Sequence, residues 1–165
     1  MRRALALALL LAAGGVQAAD DPAPQDMPAP LTQVTGAELQ REIVGNTLSG
    51  RHASGMTYSE FHAPDGRIYG HNNKVPVRDG CWVIRKDEVC YTYDKGPVPG
   101  VFCWRFYRAQ GGYTIYLPTS GTVGTAKLEA GNPHRHDDGG APWSCEALLS
   151  MNDTTQSTKR TGLLP

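Results

Sequence analysis

Two neighbouring stretches decide the fold: CWVIRKDEVCYTY at residues 81–93 and VFCWRFYRAQGGYTIYL at residues 101–117. In both stretches apolar and aromatic residues alternate with polar ones, which is the period of a strand with one buried face. The pattern divides them into strands near 81–86, 89–93, 101–108 and 113–117. The alternation therefore predicts an antiparallel meander.

One register aligns the apolar residues of these strands on a single face. It places Tyr91 opposite Phe102 and Phe106 opposite Ile115. A slip by one residue would turn the aromatic row outward, so the buried face specifies the register strongly.

The N-terminus has the features of a secretory signal peptide. Arg2 and Arg3 precede an apolar run that ends at Ala13, and Val16-Gln17-Ala18 supplies the small residues that signal peptidase reads. The run is too short for a membrane-spanning helix, which needs about 20 residues. We therefore expect residues 1–18 to be removed, and the mature chain to be periplasmic or secreted without a membrane span.

The chain holds four cysteines, and an even number in an exported protein predicts disulfides. The register places Cys90 opposite Cys103 on the face away from the aromatic row, within reach of a disulfide. Cys81 lies on the same outer face, which leaves it for Cys145. We predict Cys90–Cys103 within a hairpin and Cys81–Cys145 between the sheet and the C-terminal segment.

The rest of the chain divides into a leader, a domain and a tail. Residues 19–34 are rich in Pro and Ala and predict a flexible leader. A capping box at Thr35 and Glu38, followed by a short apolar face and Gly45, predicts one short helix that plugs an end of the sheet. Residues 35–149 form the disulfide-stapled β domain, and the polar residues 150–165 a disordered tail.

Two further segments flank the meander. The turn Pro64-Asp65-Gly66 predicts a hairpin between residues 56–62 and 67–71, and residues 123–128 have the pattern of one more strand. The fold class is therefore mainly β. It is a small antiparallel meander barrel or a strongly curved sheet, with one short N-terminal helix and two disulfides.

Short motifs at turns and core positions carry a resemblance to a known class of proteins. They are Gly45-Asn46-Thr47, Ala63-Pro64-Asp65-Gly66, Gly80-Cys81-Trp82-Val83, Val89-Cys90-Tyr91 and Phe102-Cys103-Trp104. Over residues 31–132 the chain resembles exported proteobacterial proteins of a domain-of-unknown-function class. The resemblance implies a small lipocalin-like β-barrel outside the cytoplasm, and no particular activity. The Cys81–Cys145 bridge is not part of that pattern.

The composition and motifs exclude several function classes. With 16 basic and 16 acidic residues, loss of Arg2 and Arg3 leaves a small net negative charge and no polyanion-binding surface. The sequence has no Gly-x-Ser-x-Gly elbow, no Gly-rich phosphate loop and no His-Glu-x-x-His motif. Two disulfides would also leave no cysteine free for catalysis. Neither enzymatic activity nor a bound cofactor has support from the residues.

The aromatic row has two interpretations that the sequence leaves open. Barrels of about eight strands can hold one small molecule, but a core filled by side chains is the commoner outcome. The residues that would line a ligand cavity are Trp82, Tyr91, Phe102, Trp104 and Phe106.

The loop HRHDD at residues 134–138 is the best metal-binding candidate. His134 and His136 project to the same side of an extended segment and Asp137 follows, and imidazole and carboxylate groups are ligands of zinc and copper. The alternative is a solvated loop, because glycines surround the segment and the sequence identifies no third ligand.

The leading hypothesis is an exported, non-catalytic binding or structural module. Its partner is an unknown small apolar ligand or another protein, and the sequence does not indicate an oligomeric state. One alternative is an inhibitor of a cell-wall hydrolase, since residues 53–58 faintly resemble a loop segment of lysozyme inhibitors. Another is a metal-handling protein that uses the His134 and His136 loop.

Overall fold

A computed structural model describes residues 31–93, 100–140 and 143–145 of the chain. The expected signal peptide, most of the leader, the tail and the centre of the loop between Cys90 and Cys103 lie outside these ranges. Helix α1 spans Gly36–Ile43. The strands are β1 (Thr47–His52), β2 (Thr57–His62), β3 (Arg67–Asn72), β4 (Val75–Arg85), β5 (Glu88–Tyr93), β6 (Val101–Ala109), β7 (Gly112–Leu117) and β8 (Thr122–Glu129).

The eight strands form a closed antiparallel barrel. Each strand pairs with the next in sequence, and β8 pairs with β1, so that Leu48 faces Leu128 across the closing seam. The prediction of a mainly β fold is confirmed, and of its two forms the closed barrel is the one present.

The predicted register of the central meander is also confirmed. Tyr91 pairs with Phe102 across β5 and β6, and Phe106 pairs with Ile115 across β6 and β7. Because side chains alternate along a strand, these pairs place the aromatic row inside the barrel. Tyr91, Phe106 and Ile115 are all buried.

Both predicted disulfides are present. Cys90 and Cys103 are directly opposed on β5 and β6 and are bonded to each other. Cys81 on β4 is bonded to Cys145, and the two bridges share a small apolar cluster with Val83 on the outer surface. The second bridge ties the segment after β8 to the outside of the barrel.

Helix α1 closes one end of the barrel. Its N-terminus carries the predicted capping box, in which Thr35 and Glu38 bond each other's backbone N–H groups. The Gly36 N–H donates to the Asp87 carboxylate in the β4–β5 turn over 2.7 Å. Leu39 and Ile43 point into the barrel and are fully buried. The helix therefore covers the end of the barrel that we call the closed end.

The last residues of the predicted leader pack against the barrel. Residues 32–34 were expected to be flexible, but they lie along β6, where the Val34 N–H donates to the Phe106 carbonyl over 2.8 Å. Val34 is fully buried in the same core cluster as Leu39. An apolar residue just before the N-cap that packs with the fourth helical position is a hydrophobic staple. Packing with Leu39 and pairing with β6 hold these residues in place, although the segment before them is rich in Pro.

None of the described helices has the length and apolar character that a membrane-spanning helix requires.

The two disulfides are predicted to differ in their contribution to stability. The Cys81–Cys145 bridge spans 64 residues and the Cys90–Cys103 bridge spans 13. Restriction of the unfolded chain grows with loop length, so replacing both cysteines of a bridge by alanine should cost about 4 kcal/mol for the first and about 3 kcal/mol for the second. Guanidinium unfolding of both variants measures the two losses. A larger loss for the short loop would contradict this ranking.

Candidate functional site

A large cavity occupies the half of the barrel away from α1. Its volume is about 680 Å³, and its wall includes Tyr58, Tyr91, Tyr93, Phe102, Trp104 and Phe106. Exposed residues of the β1–β2 and β3–β4 connections, Met56 and Asn73, stand at its rim. We call this end of the barrel the open end.

The predicted aromatic residues divide between this cavity and the filled core. Tyr91, Phe102, Trp104 and Phe106 line the cavity, whereas Trp82 does not. The indole N–H of Trp82 donates to the Ala63 carbonyl over 3.0 Å, and the ring is buried. The barrel is thus solid near the helix and hollow toward the open end.

A buried carboxyl group, that of Glu60, lies in the cavity wall. Its side chain accepts hydrogen bonds from Asn72 Nδ2 over 3.0 Å and from the Tyr93 hydroxyl over 3.1 and 3.2 Å. Burial raises the pKa of Glu60 from 4.5 to about 7, and the two hydrogen bonds only partly oppose this rise. The carboxyl group is therefore about half protonated near neutral pH.

A glycine allows Tyr93 to reach Glu60. Gly80 pairs with Tyr93 across β4 and β5, and the tyrosine ring lies over it. A Cβ at this position would come within 3.1 Å of the Tyr93 ring and 2.4 Å of Ile68. A side chain at this position would displace Ile68 and press on the Tyr93 ring, so Gly80 leaves room for the ring in the position from which its hydroxyl reaches the carboxylate.

His62 follows Glu60 on the inner face of β2 and is fully buried. Its Nδ1 lies 3.1 Å from the Glu60 carbonyl, and its Nε2 lies 2.9 Å from the Tyr91 hydroxyl. A carbonyl only accepts, so Nδ1 carries the proton and Nε2 accepts from Tyr91. Burial lowers the pKa of His62 to about 3, so the ring is neutral and orients the inward Tyr91.

His52 forms another polar feature of the cavity wall. Its ring stacks on Tyr58 and on Trp104, with centroid distances of 5.0 and 5.1 Å. Burial lowers the pKa of His52, and its Nδ1 has no hydrogen-bond partner among the residues described. The stack provides the cavity with an aromatic wall that contains the unpaired His52 Nδ1.

The predicted metal ligands lie on the outer surface of the barrel. The rings of His134 and His136 are 5.3 Å apart, and His134 Nε2 contacts Glu129 over 2.9 Å. A third histidine, His71 on β3, lies 5.5 Å from the His136 ring. Asp137 instead accepts a hydrogen bond from the Gly139 N–H, within its own loop. The structure therefore places His71 beside the predicted histidine pair, whereas Asp137 is hydrogen-bonded within its own loop.

The nitrogen atoms of these histidines are not gathered for a metal. Within the described ranges, Glu88, Cys90 and Cys103 are the one group of three ligand-type residues whose donor atoms lie within 4.8 Å of one another. Because both cysteines are in a disulfide, that group has no thiolate to offer.

A serine–histidine contact occurs under the same loop. Ser59 Oγ lies 2.9 Å from His136 Nε2, a pairing that resembles a nucleophile and its base. Ser59 is buried beneath the loop, however, and in the described part of the chain no carboxylate is hydrogen-bonded to the His136 ring. The contact anchors the loop to β2 and lacks the third group that orients a catalytic histidine.

The segment 53–58, which suggested an inhibitor loop, forms the β1–β2 connection and the start of β2. Ala53, Ser54, Gly55 and Met56 are exposed at the open end, while Tyr58 is buried in the cavity wall. The inhibitor interpretation stays a prediction.

Sequence reasoning missed Glu60, Tyr58 and His52 as cavity residues. The signal was present in β2, because strict alternation places Tyr58, Glu60 and His62 on one face. Because residues two apart in a strand face the same side, assigning Tyr58 to the interior would also have placed Glu60 there. The strand is short and mostly polar, so the alternation was a weak signal.

Comparison with protein-family models, with curated proteins and with solved structures finds no match to this chain.

Glu60 is predicted to make the stability of the fold depend on pH. Its pKa is about 7 in the folded protein and near 4.5 when exposed, so its contribution is complete below pH 4.5 and is lost as the pH rises through 7. Relative to Glu60→Gln, which mimics the neutral acid, the wild type should lose about 3 kcal/mol between about pH 4 and pH 8. Urea unfolding of both proteins across this range measures the difference. A difference that stays constant with pH would rule out the raised pKa.

A control with the opposite sign is available at Glu129. Hydrogen bonds from Ser49 and His134 lower the pKa of Glu129 below 4.5. The stabilising effect of this carboxylate is therefore present above pH 4.5 and is lost on acidification. Relative to Glu129→Gln, the wild type should gain stability as the pH rises, which distinguishes the Glu60 effect from a general effect of carboxylate removal.

Proposed function

We propose that this chain is an exported, non-catalytic binding protein that holds a small, mainly apolar ligand in the open half of its barrel. The observation that carries the proposal is the cavity of about 680 Å³ walled by aromatic rings. Pockets for small ligands have volumes of about 300 to 1,000 Å³, apolar walls and a few convergent polar groups. The cavity fits that description, with the buried Glu60 and the half-buried His52 among its polar groups.

The architecture supports a role in binding. Helix α1 and the side chains beneath it fill the closed end, so that a ligand would enter from the open end, where Met56 and Asn73 lie. The closed barrel keeps the wall rigid, because every strand is paired on both sides. A pre-formed wall lowers the entropic cost of binding.

The proposed location rests on two features. The first 18 residues have the pattern of a signal peptide, and two disulfides staple the domain. Disulfides form and persist in oxidising compartments such as the periplasm or the cell exterior.

Occupation of the cavity is testable with a neutral apolar fluorophore. N-phenylnaphthylamine should bind with a Kd on the order of 10 µM or tighter, with a rise in its emission. Val77 is buried in the cavity wall, so Val77→Trp should weaken binding by at least about tenfold by filling the space. Native mass spectrometry of protein purified from the periplasm would show whether a ligand copurifies.

A matched control for that variant is Val101→Trp. Val101 pairs with Thr92 on the outer face of the barrel and is 40 % exposed. This substitution adds the same bulk outside the cavity and should leave probe affinity unchanged. Absence of probe binding to the wild type, or equal binding to Val77→Trp, would contradict the proposed function.

Metal binding on the outer surface is a second candidate function, favoured by the third histidine. His71 lies in ring contact with His136, and its Nδ1 has no hydrogen-bond partner among the described residues. His134 lies on the other side of His136. Rotation of these side chains toward one point would supply the three protein ligands that zinc sites commonly use.

Zinc titration by calorimetry tests this candidate. The wild type should bind zinc, the double variant His134→Ala, His136→Ala should show no binding, and His71→Ala should bind at least about tenfold more weakly. His52→Ala, a histidine of the cavity wall, is the control and should leave zinc affinity unchanged. An isotherm that is the same in the double variant and in the wild type would eliminate the site.

A further inference from the structure

The charges inside the barrel are unbalanced. Among the described residues, Glu60 is the only acidic side chain in the set of buried polar groups, and that set contains no Lys or Arg. The hydrogen-bond partners of its carboxylate, Asn72 and Tyr93, are neutral amide and hydroxyl groups. The cavity wall therefore contains a carboxyl group that has no counter-ion in the described part of the chain when it is ionised.

The carboxylate retains capacity for another donor. Its two oxygens offer about four acceptor sites, the described residues supply two donors to them, Asn72 and Tyr93, and Glu60 lines the cavity. A buried charge is costly unless it is paired with an opposite charge and hydrogen-bonded. A ligand that brings a positive charge would pair with Glu60.

The walls around Glu60 favour a cation as well. Tyr58 precedes it by two residues on the inner face of β2, and Tyr91 and Tyr93 stack on each other with a centroid distance of 6.3 Å. Trp104 lies in the same cavity wall. Tyrosine and tryptophan faces attract ammonium groups through their quadrupoles, most strongly where water is excluded.

We propose that the cavity selects small organic amines, whose ammonium group binds the Glu60 carboxylate while the apolar body lies among the aromatic rings. This inference rests on the proposed function and adds the chemical class of the ligand. Carboxylic acids of the same shape are excluded by repulsion from Glu60. Neutral molecules of that shape bind, but without the ion pair.

Among the described residues, the tyrosines and histidines around Glu60 are uncharged near neutral pH. On β2 and β5, burial raises the pKa of Tyr58, Tyr91 and Tyr93, so these groups are neutral. Burial lowers the pKa of His62 to about 3 and also lowers that of His52 on β1, which keeps these rings uncharged near neutral pH.

Among the described residues, the remaining charged groups of the cavity lining lie toward the open end. They are Arg78 and Asp79 at a register shift in β4 and Asp138 in the loop after β8. These groups do not contact the Glu60 carboxylate, whose side-chain partners are Asn72 and Tyr93. The charge of the deep site is thus set by Glu60.

Three naphthalene compounds that differ in one group test the inference: naphthylethylamine, naphthylethanol and naphthylacetic acid. Calorimetry with the purified chain at about pH 8, where Glu60 is ionised, should rank the amine first by at least about tenfold over the alcohol, with the acid weakest. At about pH 5.5 the amine should lose that advantage, because Glu60 is then protonated, whereas the affinity of the alcohol should not change.

Two variants assign the effect to Glu60. Glu60→Gln keeps an acceptor for Asn72 and Tyr93 but removes the charge, so the amine and the alcohol should bind alike. Glu88→Gln removes the same charge from the outer surface, where Glu88 pairs with Arg105 over 2.9 Å, and should keep the ranking of the wild type.

The outcomes separate the inference from the function on which it rests. If N-phenylnaphthylamine binds but the amine is no tighter than the alcohol at about pH 8, or keeps its advantage in Glu60→Gln, the amine inference is wrong and the proposed function stands. If the neutral probe and all three compounds fail to bind, the proposed function itself is wrong. Should Glu60→Gln not fold, loss of the amine preference in the wild type at about pH 5.5 still supports the inference, and its persistence there would overturn it.

Discussion

The pairing of β8 with β1 is the constraint on which the rest of the structure depends. It closes eight strands into a barrel, so that alternate residues of every strand must share one interior. Helix α1 and the side chains of Val34, Leu39 and Ile43 fill that interior at one end. At the other end, as far as the described ranges extend, the strands bring aromatic rings to the wall but no element to the centre. The cavity follows from this unequal filling of a closed barrel.

The placement of Glu60 gives the cavity its chemical character. An aromatic cavity with neutral polar groups would accept many apolar molecules with little discrimination. A carboxyl group with only neutral hydrogen-bond partners adds a charge that is costly when the cavity is empty and favourable when a cation occupies it. The raised pKa of Glu60 and the proposed preference for amines are two consequences of the same desolvation. The ionised Glu60 therefore lowers the stability of the empty protein and at the same time would favour a cationic ligand.

The sequence predicts strands β4 to β7 more completely than the other strands of the barrel. From β4 to β7, bulky aromatic residues alternate with polar ones, and both the register and the disulfides followed from that pattern. The inner faces of β1 and β3 carry Gly50 and Gly70, which hold no side chain that could reveal the period. Closure between β1 and β8 depends on pairing across the whole domain, which local patterns do not report. Glu60 was missed for a different reason: a charged residue in a short polar strand is typical of an exposed position.

An NMR pH titration of the Glu60 carboxyl carbon, assigned with Glu60→Gln, tests most directly whether this group is buried and binds a cation. We expect an apparent pKa of about 7 in the free protein. Saturation with naphthylethylamine should lower that pKa, because an ammonium group stabilises the carboxylate. A pKa near 4.5 in the free protein that does not change with the amine would contradict both the buried carboxyl group and the binding of a cation to it.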